Sequence, residues 1–80
     1  MTSQQDIQEW FERGIEKKAT HLIVVCDTYD YEDYPVFVEV GSDAKTIASH
    51  YNGNMQKVME VYNLSKDMRK QLNTRRNFEY

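Results

Sequence analysis

The sequence predicts an α+β domain in the order helix, antiparallel β-hairpin, helix, third strand, C-terminal helix. Three observations predict it. Ile7, Trp10, Phe11 and Ile15 recur at helical spacing. Two β-branched runs, Leu22–Cys26 and Pro35–Val40, follow one another across a single polar segment. A stretch of helical periodicity then lies between Gly41 and Asn52-Gly53. The 80 residues limit the chain to one small domain, 1–80. A domain this short buries only about 60% of the surface its unfolded chain exposes, so its core is thin.

In the first helix, Ser3 is placed to cap and Asp6 to meet the positive end of the helix dipole, with Lys17 and Lys18 at the negative end and termination near Ala19. Gly14 falls on the apolar face, which suggests close approach of another backbone. Leu22-Ile23-Val24-Val25-Cys26 is apolar without alternation, as in a strand buried on both faces. Asp27–Tyr34 then reads as a hairpin loop of about eight residues, longer than usual, and Pro35 as the first residue of the second strand, where a missing donor is tolerated.

Gly41 ends that strand, and Ser42 or Asp43 caps a helix with Ala44, Ile47, Ala48 and Tyr51 on its inner face. Residues 55–62 satisfy helical spacing through Met55, Val58, Met59 and Tyr62, yet are rich in strand formers. A third strand is preferred, because a two-stranded hairpin alone is marginal. Ser65 is placed to cap the last helix, with Met68 and Leu72 inward. The tail 75–80 is expected to fray unless a partner holds it.

Cys26 is the only cysteine, so a monomer has no disulfide and the composition fits a reducing compartment. The first residues lack the basic start and apolar run of a signal peptide, and Leu22–Cys26 falls far short of the ~20 residues of a membrane helix. A cytoplasmic protein without membrane association is expected. The net charge of -3 is unevenly spread: residues 1–43 carry ten acids and three bases, residues 44–80 seven bases and three acids. Such a chain can steer a charged partner or pair with its own copy.

Four constellations could carry chemistry. Seven of the eight residues of Asp27–Tyr34 are acids or tyrosines. Rings offer rigid contact area and carboxylates seek arginine or lysine, so the segment suits a basic protein surface; the plainer reading is a solvated loop. As a magnesium site, a hydrophobic strand ending in Asp27 is similar to the haloacid-dehalogenase phosphatases, but the next acid, Asp30, comes three positions on rather than two, and the chain is too short for that fold. The calcium-loop pattern fails as well, with Glu32 where glycine is required and Val38 where glutamate is. His21 and Cys26 are five positions apart on one strand and face opposite ways, which leaves Cys26 as a small core residue. Lys66, Arg69, Lys70, Arg75 and Arg76 form a basic stripe on the terminal helix, yet the sequence pI of about 5.3 argues against nucleic acid. The glycines are isolated, so no phosphate loop and no cofactor is indicated.

The run Ala19–Val36, ATHLIVVCDTYDYEDYPV, and the segment Asn54–Tyr62 resemble a family of short uncharacterised proteins of bacteria and their phages. The resemblance attaches no activity and no site residues. It implies an accessory, phage-borne protein of the cytoplasm, of the kind that binds a host defence component or its nucleotide signal.

The leading expectation is a non-enzymatic binding protein. Tyr29, Tyr31 and Tyr34 are its contact anchors, and Asp30, Glu32 and Asp33 its partners for arginine or lysine. A homo-oligomeric binder of a phosphorylated ligand or nucleotide, gripped by Lys70, Arg75 and Arg76, is the alternative. A metal-dependent hydrolase built on Asp27 is the second.

Overall fold

The computed structural model describes residues 4–53, 55–73 and 78–80. Its elements run α1 (Gln4–Glu16), β1 (His21–Asp27), β2 (Glu32–Val38), α2 (Ala44–His50), β3 (Gln56–Asn63) and α3 (Met68–Leu72). The expected α+β order is present, third strand included. The strands form one antiparallel sheet in the order β2-β1-β3, so the most apolar strand lies in the middle.

Each face of the sheet has its own core. On one face α2 brings Ala44 and Ala48 against Ile23, Val25, Val38, Val58 and Val61. On the other, Ile7 and Phe11 of α1 pack with Leu22, Val24, Tyr62 and Leu64, joined by Met68 and Leu72 of α3. Successive residues of β1 serve opposite cores, which is why that strand has no polar alternation. Phe11 and Tyr62 meet edge to face with ring centroids 6.3 Å apart. Burial raises the Tyr62 phenol pKa, and the Glu60 carboxylate that accepts the phenol's hydrogen bond at 2.7 Å adds to the rise.

β3 pairs with β1 through a bulge. Val24 opposes Glu60 while Val25 opposes Val58, which leaves Met59 as the extra residue. The bulge turns Val58 towards α2 and Met59 towards α1. After β3 the buried Gln71 clamps α3 to the strand end: its amide oxygen accepts from Asn63 N at 2.7 Å, and its nitrogen donates to Asn63 O at 2.9 Å and Asp67 O at 3.1 Å.

Several expectations need correction. The hairpin loop has four residues, Thr28–Tyr31, because Glu32, Asp33 and Tyr34 already belong to β2. Pro35 is the fourth residue of β2, tolerated because β2 is an edge strand, and Val40 lies beyond the strand, exposed. Ile15 is exposed as well. Gly14 accommodates side chains rather than a backbone: a Cβ there would lie 2.7 Å from Leu64 Cδ1 and 3.2 Å from the Phe37 ring. α1 stops at Glu16, where Lys18 N bonds Ile15 O and Ala19 N bonds Gly14 O, with Lys18 at φ 60 in the place glycine usually fills. Asp67, not Ser65, caps α3. Ser3 lies outside the described residues. The end of the tail is held: Phe78 bridges Val61, Glu79 N donates to Val61 O, and Lys66 pairs with Glu79 at 2.9 Å.

Candidate functional site

The hairpin tip is built by its own acids. Asp27 Oδ1 accepts from Tyr29 N at 2.8 Å, Asp30 Oδ1 accepts from Glu32 N at 3.2 Å, and Tyr31 N bonds Asp27 O at 2.7 Å. Such side-chain to backbone bonds let aspartate close tight turns. Tyr31 adopts φ 59 to complete the loop. Thr28 N donates to Met55 O at 2.8 Å, tying the tip to the segment before β3. Tyr29, Tyr31 and Met55 therefore share this end of the sheet, and they are 78%, 74% and 56% exposed.

The remaining tip residues separate by strand alternation. Glu32 is exposed and directly opposite Asp27. Asp33 is half-buried opposite Cys26. Burial and then the Asp33 carboxylate push the Cys26 thiol pKa up, which lowers its nucleophilicity at neutral pH. Cys26 is half-buried at the strand end rather than within either core. Tyr34 is a structural ring more than a free anchor: it packs on the α2 core, meets Tyr51 edge to face at 6.5 Å, and accepts from the Gln56 side-chain amide. Burial raises its phenol pKa. Of the six expected contact residues, Tyr29, Asp30, Tyr31 and Glu32 are exposed together at the tip, and Asp33 and Tyr34 are turned partly inward.

Asp27, on which the alternative of a metal-dependent hydrolase rests, is engaged in the turn. Among the described residues no three histidines, cysteines or acids are grouped closely enough to hold a metal ion. The basic stripe is not one helix face. α3 carries Arg69 and Lys70, Lys66 precedes it in its ion pair with Glu79, and Arg75 and Arg76 lie outside the described residues. No described helix is long and apolar enough to cross a membrane.

A feature the sequence does not disclose lies along α2 and β3. α2, β3 and the end of the tail enclose an open groove of about 400 Å³, lined by Lys45, Ser49, Asn52, Lys57, Phe78 and Tyr80 among others. Nothing in the local sequence links Phe78 with Lys57; the pairing of the tail with β3 does so. No protein-family model, curated protein or solved structure matches the chain.

Proposed function

We propose that this protein is a non-enzymatic binding module whose hairpin tip docks on the basic surface of a protein partner. One observation carries the reading: two tyrosine rings and a methionine stand exposed on a hydrogen-bonded tip that also bears Asp27, Asp30 and Glu32. Ordered aromatic side chains lose little entropy on docking, and carboxylates around them select arginine and lysine. The cytoplasm and an accessory, phage-borne, anti-defence role are the setting that the family resemblance suggests for such a module.

The test is capture of partners from cells by the immobilised protein and by the variant Tyr29→Ala/Glu32→Lys. Both positions are exposed, whereas Asp33 is partly buried. The variant should lose the captured partner while its Tm moves by no more than about 4 °C, as expected of exposed positions in a small domain. Undiminished capture by a folded variant would remove the tip from the binding surface.

A further inference from the structure

The groove between α2 and the tail is the chemical complement of the tip. Lys45 and Lys57 are exposed on its walls, and among the described residues the one salt bridge is Lys66–Glu79, so neither groove lysine is engaged in an ion pair. Phe78 and Tyr80, 43% and 50% exposed, supply ring surface, while Ser49 and Asn52 supply hydrogen-bonding groups. An occupant must bring an aromatic side chain together with carboxylates. The hairpin tip displays that combination, with Tyr29 and Tyr31 beside Asp30 and Glu32.

We infer that the groove receives the hairpin tip of a second copy of this chain. The inference rests on the tip being a docking surface and names its partner. Within one molecule the tip adjoins the Lys57 end of the groove: Asp27 pairs with Gln56, Lys57 is the next residue of β3, and Thr28 bonds Met55. With a rise of about 3.4 Å per residue, the tip lies on the order of 10 Å beyond Lys57. The groove runs from Lys57, its end nearest the tip, along β3 to Phe78 beside Val61, and a two-fold axis can relate the tip and groove of two copies reciprocally. Each tip then enters the other's groove and the pair closes, whereas the same contact made in one direction only would give an open chain. Among the described residues seven large apolar side chains are exposed, and five of them, Tyr29, Tyr31, Met55, Phe78 and Tyr80, belong to these two patches. Ile15 and Val40 are the other two.

Sedimentation equilibrium of the full chain across a dilution series, at low and high salt, tests this. The expected result is a monomer–dimer equilibrium that weakens as salt shortens the screening length from about 10 Å at 0.1 M to about 3 Å at 1 M. Lys45→Glu/Lys57→Glu and Tyr29→Ala/Glu32→Lys should each weaken dimerisation by about tenfold or more. Mixing the two variants should restore it in part, because one contact is native and the other sets reversed charges against each other. Should a variant fail to fold, the wild-type amide resonances of Tyr29–Glu32, Lys45 and Lys57 decide: they should shift together on dilution. A monomer at every concentration, or a dimer indifferent to either variant, overturns the inference. If the chain is monomeric but the tip variant still loses its cellular partner, only the identity of the occupant is wrong. If the tip variant alters neither property, the docking tip itself fails.

Discussion

Truncating Gln71 to alanine tests how α3 is attached to the sheet. α3 has five residues, too few to be stable alone, and the Gln71 side chain makes two hydrogen bonds to Asn63 at the end of β3 and a third to Asp67 O at its own helix cap. Both accepting carbonyls keep another donor, since Asn63 O also takes Lys66 N and Asp67 O takes Gln71 N. The Asn63 N–H loses its side-chain acceptor. Leaving one buried donor unpaired costs about 1–3 kcal/mol and each lost bond about 1 kcal/mol, so roughly 2–4 kcal/mol is expected after side-chain entropy is returned. A domain of this length has about 4–12 kcal/mol in total. Urea unfolding followed by circular dichroism reads the change: with a slope near 1 kcal/mol per M, the midpoint should fall by roughly 2–4 M or the native baseline should be lost. Gln71→Glu separates donor from acceptor. Its carboxylate still accepts from Asn63 N but faces two carbonyl oxygens, so the variant should be destabilised at neutral pH and recover part of the loss on acidification. An alanine variant within about 0.5 kcal/mol of wild type would refute the clamp.

Gly14→Ala gains about 1 kcal/mol of helix propensity but drives a methyl to 2.7 Å from Leu64 Cδ1 and 3.2 Å from the Phe37 ring. Overpacking of that kind costs about 1–3 kcal/mol, so the variant should be less stable by about 1 kcal/mol, and a higher denaturation midpoint would contradict the packing account. His21 supplies a pH dependence. Burial lowers its pKa, opposed by the Tyr80 backbone and the Asp43 charge, while its Nδ1 lies 3.0 Å from Thr20 Oγ1. Because the unfolded chain takes up this proton near pH ~6.5 and the folded chain only at lower pH, the group's contribution is complete above ~6.5 and is lost as the pH falls through the folded value. His21→Gln should flatten the stability profile between about pH 7 and 5; equal slopes for variant and wild type would count against a depressed value.

The legible parts of the fold were those whose residues obey one period. β1 is apolar at every position because both of its faces are covered, and α2 shows its inner face through Ala44 and Ala48 behind the Asp43 cap. β3 was ambiguous for a physical reason. Its bulge places Val58 and Val61 on one core and Met59 and Tyr62 on the other, so same-face residues are three apart, as on a helix. The hairpin loop looks longer in sequence than it is because β2 begins with Glu32 and Asp33, poor strand formers that an edge strand accepts. The alternation of Tyr34, Val36 and Val38 towards α2 was the available signal. The groove was invisible, since it depends on the tail lying against β3, and neither hydropathy nor spacing specifies that pairing.

The acids of the tip differ in what folding asks of them. Asp27 and Asp30 accept backbone bonds that shape the turn, so their charge is incidental to a structural task. Glu32 has no such task in the turn. It stands directly opposite Asp27 at the closing pair of the hairpin, where like charges are unfavourable by roughly 0.2–1 kcal/mol. A lysine at that position would pair with Asp27 and steady the hairpin. Stability alone therefore gives no reason for a carboxylate there, whereas a surface that selects basic partners does. Glu32→Lys by itself should consequently raise the unfolding midpoint slightly and weaken docking. Should it lower the midpoint instead, Glu32 has a structural role and its charge ceases to support contact.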